Sequence, residues 1–262
     1  MPFPYHKTLV LGATSGIGEA LAARITQEGG SVIAVGRRQE RLDAFVSSHG
    51  SDKATAVTFD VNALSEIPAF AAKITKAHPD LDCVILNSGI QRGTDFAHPD
   101  SVDLEQVETE FTTNYLSYIH LTKAFLPFLQ AKKSRSALVY MSSGLALVPI
   151  LRCPNYCATK AALHQFLLVF RQQVKDSAVA VVEIFPPMVD TELHDAKHQP
   201  DYKGPAGGMP LDKFTDDAYA GLVRGDTEIP VGDAKKWYDS FESHRQETFF
   251  TNVKAMTASA GK

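Results

Sequence analysis

The sequence predicts an open α/β fold: a doubly wound parallel sheet flanked by helices. Short runs rich in Val, Ile, Leu and Ala recur along the chain and alternate with longer segments of helical character. The first run, Thr8-Leu9-Val10-Leu11, passes straight into a glycine-rich turn and then into Glu19-Ala20-Leu21-Ala22-Ala23-Arg24-Ile25, which reads as a helix. A later run, Cys83-Val84-Ile85-Leu86, is apolar at every position, as a strand buried on both faces must be.

Composition narrows the function classes. A chain of 262 residues fits one α/β domain, and residues 1–262 are read as such. Hydrophobic residues make up 44%, enough for a sizeable core. The net charge is −4 with no basic cluster, which argues against nucleic acid as a partner. The three cysteines, Cys83, Cys153 and Cys157, have neither metal nor redox spacing. Their odd count points to a reducing, cytoplasmic setting, and no metal site is expected. The first residues lack the apolar stretch of a signal peptide, and no run approaches the length of a membrane span.

Taken in order, the turn after the first strand is Gly12-Ala13-Thr14-Ser15-Gly16-Ile17-Gly18. Strand, glycine-rich turn and helix form a phosphate-binding arrangement: glycines let the backbone approach a pyrophosphate, and the helix N-terminus offers N–H groups and positive dipole. The spacing is GxxxGxG, a modest signal taken alone. The second strand, Ser31 to Val35, ends at Gly36-Arg37-Arg38. In this architecture an acid at that point takes the ribose 2′-OH of NAD, whereas arginine meets the 2′-phosphate of NADP. Two arginines and no acid favour NADP(H) over NAD(H); the alternative is that both begin a solvated helix. The third strand, Ala54 to Phe59, ends at Asp60-Val61, where Asp60 is read either as an adenine acceptor or as a helix cap. The fourth strand ends at Asn87-Ser88-Gly89.

A helical stretch from about Val102 to Gln130 follows, with Asn114 in its middle, where asparagine is a poor helix former. Such a local misfit is expected at functional positions. The fifth strand, Ala137 to Met141, delivers Ser143 to its C-terminal end. The run Leu145 to Leu151 suits either a substrate wall or core packing. The next helix opens near Tyr156 and places Lys160 one turn later on the same face. The sixth strand, Ala178 to Phe185, ends at Pro186-Pro187-Met188-Val189-Asp190-Thr191. Residues Glu192 to Phe214 are too long for a bare connector and are read as a mobile substrate lid. A helix near Thr215 to Val223, a short strand at Glu228 to Val231 and a helical extension from Ala234 to Met256 complete the chain.

Gly12-x3-Gly16-x-Gly18, Asn87-Ser88-Gly89, Asn114, Ser143, Tyr156-x3-Lys160 and Pro186-x2-Val189-x-Thr191 occur in order and on the expected elements. Together they resemble the short-chain dehydrogenase/reductase family, over about Lys7 to Gly232. The Pro186–Thr191 segment, with Gly208-Met209-Pro210-Leu211 and Glu228-Ile229-Pro230-Val231-Gly232, looks like its DltE-type branch. The resemblance implies a single Rossmann-like domain, a sheet of about seven strands and a nicotinamide cofactor. It implies Ser143, Tyr156, Lys160 and Asn114 as the catalytic set. It places Gly12, Thr14, Ser15, Gly16, Ile17 and Gly18 against the cofactor phosphates, and Asp60 and Val61 against adenine. Asn87 and Gly89 are assigned to the adenosine side, and Pro186, Val189 and Thr191 to the nicotinamide, with Tyr156 and Lys160 also touching the cofactor. Leu145, Leu151, Met188 and Leu193 are the expected substrate wall. The family sequence pattern differs at Leu11 and Ser88, usually threonine and alanine, and at Pro187, usually glycine.

The reaction expected is hydride transfer between nicotinamide and a carbonyl or alcohol carbon, with reduction of a hydrophobic ketone as the leading case. A C=N reductase and a non-catalytic NADP(H) sensor are the alternatives. Free tyrosine titrates near pH ~10, and bringing Tyr156 about three pH units lower takes roughly 4 kcal/mol. The expected source is the Lys160 ammonium together with the positive nicotinamide ring. Ser143 is expected to hold the substrate oxygen, and Asn114 a water that links Lys160 to solvent. Relatives of this kind pair through the helices matching Val102–Gln130 and Pro154–Val174, so a homodimer or homotetramer is expected.

Overall fold

The computed structural model describes residues 3–195, 199 and 207–260. Seven parallel strands form one sheet in the order β3-β2-β1-β4-β5-β6-β7. They are β1 (Lys7–Leu11), β2 (Ser31–Gly36), β3 (Ala54–Thr58), β4 (Cys83–Leu86), β5 (Ser136–Met141), β6 (Val179–Phe185) and β7 (Glu228–Pro230). The strand order reverses between β1 and β4, and a crevice opens at such a switch point, beyond the strands' carboxyl ends.

Alternation along each strand feeds a core on either face of the sheet. Val10, Ala34, Ile85 and Val139 pack with α1 (Gly16–Gln27), α2 (Gln39–His49) and α7 (Leu211–Arg224) through Leu21, Ile25, Phe45 and Phe214. Leu9, Ile33, Val84 and Leu138 face the other way. There they meet α3 (Ile67–Ala77), α5 (Ser117–Gln130) and α6 (Pro154–Gln173) through Phe70, Phe125 and Leu163. Both faces are covered, which is why the strands read as continuous apolar runs.

Two expected helices are broken in an informative way. The stretch expected from Val102 to Gln130 is α4 (Leu104–Phe111), a π-helical turn at Thr112–Leu116, and α5. Asn114 lies in that turn, so the residue that fits an α-helix poorly sits where the helix is locally widened. The C-terminal extension is α8 (Asp233–Trp237), a second π-turn at Tyr238–Glu242, and α9 (Ser243–Ala260).

Glu242 in that second turn is buried against His164 of α6 (Oε1 to Nε2, 3.0 Å), while His164 Nδ1 meets Glu183 of β6 at 3.0 Å. Burial pulls the His164 pKa down, but the two carboxylates more than reverse this, to about 9. Burial likewise pushes Glu242 up, and hydrogen bonds from His164, Arg245 and Gln246 bring it down to about 2. The C-terminal segment is thus fastened to the sheet by a buried charge network.

The expected lid is only partly visible. Residues 196–198 and 200–206 lie outside the described residues. Glu192–His194 form a 3₁₀ turn, and the expected distal end belongs to α7, whose Phe214 is core. The three segments that carry the DltE-type likeness meet in space. Met209 N donates to Met188 O and Asp190 N to Met209 O, at 2.8 and 3.0 Å. Gly232, at φ +58°, lies so close to Met209 and Pro187 that a Cβ there would meet Met209 Cε at 2.8 Å.

Candidate active site

The crevice is a cleft of about 700 Å³ running from Arg37, Arg38 and Asp60, past the glycine-rich turn, to Ser143, Tyr156 and Lys160. The turn is shaped for close approach. Gly12 and Gly16 have φ of +81° and +54°, and a Cβ on Gly18 would fall 2.2 Å from Gly12 O. Gly12 N and Ala13 N donate to Val35 O, and Asn87 Nδ2 donates to Gly12 O at 3.1 Å. Asn87 therefore braces the turn from β4, and Gly18 lets α1 pack against it rather than lining the cleft.

At the far end of that turn, Arg38 caps the start of α2 and folds back onto the loop. Its Nη2 donates to Thr14 O at 3.0 Å and to Ser15 Oγ at 2.6 Å. Arg37 instead reaches Asp60 across 3.7 Å and is largely exposed. The two arginines expected to act together thus point to different parts of the cleft. Val61 and Gly89 lie along the cleft, as do Pro186, Val189 and Thr191.

Ser143, Tyr156 and Lys160 converge. β5 ends at Met141, and Ser143 follows in extended backbone, its Oγ accepting from Leu145 N at 3.1 Å. Pro154 at the first turn of α6 aims Tyr156 and Lys160 into the cleft on one helix face. The Ser143 hydroxyl stands beside that of Tyr156 and favours its ionised form. Lys160 Nζ donates to Met141 O at 2.8 Å and lies 5.6 Å from the centre of the Tyr156 ring. Burial lowers the Lys160 pKa to about 8, against the pull of the Glu183 and Glu110 carboxylates.

The lowering expected of Tyr156 counts on the nicotinamide ring as well as Lys160, and burial acts against it. Burial pushes its hydroxyl well above the usual range, and the Ser143 hydroxyl only partly offsets this. The ammonium donates to Met141 O and stands over the ring. Tyr156 is therefore fully protonated at neutral pH.

Asn114, 0% exposed, spends its side chain on the protein. Nδ2 donates to Ile90 O at 2.8 Å and to Thr159 Oγ1 at 3.2 Å, while Oδ1 accepts from Ile90 N at 2.9 Å. The amide locks the loop after β4 to α6.

At the substrate end, Leu145, Met188 and Leu193 line the cleft as expected, but Leu151 is 100% exposed and does not. The chain turns outward there, and its neighbour Arg152 faces the cleft instead. Gln91, Arg92 and His194 stand at the same end. Sequence reading missed these polar groups, since the apolar run drew attention and Arg152 is the only cation between it and the helix cap. It also missed Glu110. This buried carboxylate accepts from Arg92 N (2.8 Å) and Asn155 Nδ2 (2.6 Å), tying the β4 loop to the start of α6. Cys153 and Cys157 pack with Leu145 and Tyr156.

Residues 6–201 match the family model described as short chain dehydrogenase. DltE of Bacillus subtilis (strain 168), described as an uncharacterized oxidoreductase, is 34% identical over 235 residues, covering 87% of this chain and 89% of that one. The NADP-dependent 3-hydroxy acid dehydrogenase YdfG of Salmonella typhimurium (strain LT2) is 35% identical over 194 residues, 74% of this chain and 77% of its own. Among solved structures, the closed form of serine dehydrogenase complexed with NADP+ superposes with a TM-score of 0.72. It is 29% identical and covers 82% of this chain and 88% of that chain. Among the described residues no helix is long and apolar enough to cross a membrane. With a parallel sheet in this order, a glycine cradle at its switch point and a family match over most of the length, the chain is an oxidoreductase of the short-chain dehydrogenase family.

Proposed function

We propose that this protein is an NADP(H)-dependent oxidoreductase that interconverts a carbonyl compound and its alcohol, with Tyr156 as the acid/base. The observation that carries this reading is the meeting of Ser143, Tyr156 and Lys160 at the end of a cleft that begins at a glycine cradle. The cradle fits a dinucleotide, because the turn that Gly12 and Gly16 bend at positive φ lines the cleft with Thr14, Ser15 and Ile17. NADP(H) is the cofactor: Arg38 is anchored at the turn where a 2′-phosphate is met, and the YdfG and serine dehydrogenase relatives are named with NADP. When bound, it supplies the hydride.

The chain's own residues do the rest. Ser143 donates to the substrate oxygen and holds it beside the Tyr156 hydroxyl. Tyr156 delivers its proton to that oxygen as negative charge develops there. The buried Lys160 ammonium favours the phenolate left behind. Leu145, Met188 and Leu193 cover the apolar side of the substrate. Arg152 and Arg92 give the same end a cationic edge, which favours a keto or hydroxy acid over a purely hydrophobic ketone. The names of the 3-hydroxy acid and serine dehydrogenases support that choice.

The test is NADPH consumption with paired substrates, 3-keto acids against the matching methyl ketones and esters. The acid should be the better substrate by kcat/KM, and Arg152→Ala should raise KM for the acid alone. A preference for the neutral ketones, unchanged in Arg152→Ala, would return the reading to a hydrophobic substrate. No turnover with either, despite NADPH binding, would favour the sensor reading.

A further inference from the structure

Glu192 has no part in the chemistry above, yet it is bound where the cofactor's extra charge should go. It follows β6, whereas Arg38 follows β2, and three strands of the sheet separate them. Their side chains nevertheless meet: Glu192 Oε2 lies 2.8 Å from Arg38 Nη1, and Oε1 lies 3.2 Å from Arg41 Nη2. The Ser15 hydroxyl, held by Arg38, adds to what favours the charged carboxylate. The other edge of the Arg38 fork is pinned to Thr14 O and Ser15 Oγ. Two guanidinium groups, one of them anchored to the glycine-rich turn, thus hold one carboxylate.

That arrangement is an anion site with a protein anion in it. We propose that Glu192 competes with the 2′-phosphate of NADP(H) for Arg38, and so sets how strongly the protein separates NADPH from NADH. The inference rests on the NADP(H) reading given above. A phosphate monoester carries roughly −1.5 to −2 near neutral pH and offers three acceptor oxygens, against one charge and two oxygens for Glu192. It therefore displaces the carboxylate, whereas NADH has nothing with which to do so. The hydrogen bond from Arg38, with the other contacts of the site, holds the Glu192 carboxyl below its usual range, so it stays charged at every pH where the enzyme would work. Displacement also reaches the substrate end, because Glu192 begins the 3₁₀ turn that carries Leu193 and His194 along the cleft.

Side chains in this pair are about one-third exposed, 35% for Arg38 and 33% for Glu192, so the competition is modest. An exposed pair of this kind changes an equilibrium by about two- to five-fold.

The experiment titrates the full chain with NADPH and with NADH by nucleotide fluorescence, at one fixed salt concentration. It compares the wild type, Glu192→Gln, Arg38→Ala and the double variant, with cofactor-free melting as the folding control. Glu192→Gln should bind NADPH about two- to five-fold more tightly and NADH unchanged, and the gain should vanish when Arg38 is alanine. Unchanged or weaker NADPH binding in Glu192→Gln would overturn the proposal. Equal tightening toward both nucleotides would also overturn it, since Glu192 would then obstruct the cleft without reading the phosphate. A loss confined to NADH would do so too, making Glu192 an acceptor for the 2′-OH. A wild type that does not prefer NADPH, with no loss in Arg38→Ala, would fail the NADP(H) reading itself.

Discussion

Replacing Lys160 with methionine should stabilise the fold while abolishing turnover. The ammonium is buried, and its pKa falls from 10.5 to about 8. That difference corresponds to roughly 3 kcal/mol by which burial disfavours the charged form in the folded state. A Lys with a lowered pKa destabilises the fold below its folded value. The penalty disappears as pH rises from about 8 to about 10.5, where the unfolded chain still holds the proton and the folded one does not. Lys160→Met removes the penalty but strands Met141 O, which loses its 2.8 Å donor at a cost of about 1–2 kcal/mol. The net gain at neutral pH is about 1–2 kcal/mol, or about 2–8 °C in melting temperature for a chain of this size. Urea denaturation across the pH range is the assay. The wild type should close the gap as pH rises past 8, whereas the variant's stability should lack that rise. A variant that is less stable at neutral pH, with no pH-dependent convergence, would refute the reasoning and mean that the neighbouring carboxylates fully compensate the buried charge.

Other consequences follow from specific contacts. Gly18→Ala puts a Cβ 2.2 Å from Gly12 O, so it should cost about 1–3 kcal/mol in chemical denaturation and weaken NADPH binding. Retention of both would mean that α1 can move away from the turn. The His164–Glu242 lock has its own pH window. His164, raised from 6.5 to about 9, contributes stability that is complete below about pH 6.5 and is lost as pH rises through 9. Glu242, lowered from 4.5 to about 2, contributes stability that is complete above about pH 4.5 and is lost as pH falls through 2. Trp237 fluorescence during thermal melts should therefore report the tightest C-terminal segment between about pH 4.5 and 6.5, and Glu242→Gln should flatten the acid limb. Leu151→Ser should leave turnover and melting unchanged, because that side chain is fully exposed outside the cleft.

What the sequence conveys depends on how local the determinant is. The sheet was legible because strands buried on both faces must be apolar throughout, and the glycine turn because its neighbours in sequence are its neighbours in space. Tyr156 and Lys160 were legible for the same reason, one helical turn apart. Asn114 was visible as a misfit, but the backbone of Ile90 that its amide holds lies on another element, so that brace could not be read. Pairings between distant elements were invisible: Arg38 with Glu192, Glu110 with Asn155, His164 with Glu242. The burial that acts on the Tyr156 hydroxyl was invisible too, because it depends on what packs around the ring. Leu151 was misplaced because an apolar run does not say which of its members the chain turns outward.

The most direct measurement is to separate nucleotide binding from turnover in Tyr156→Phe, which removes one hydroxyl from a buried ring. NADPH affinity is read by fluorescence and turnover by loss of NADPH absorbance, with the best acid from the paired-substrate screen. The account predicts unchanged NADPH affinity and a turnover loss of at least 10²-fold, the scale of a positioned proton donor. Turnover within a few-fold of the wild type would contradict it, for the proton would then come from elsewhere and Tyr156 would be no more than a packed aromatic.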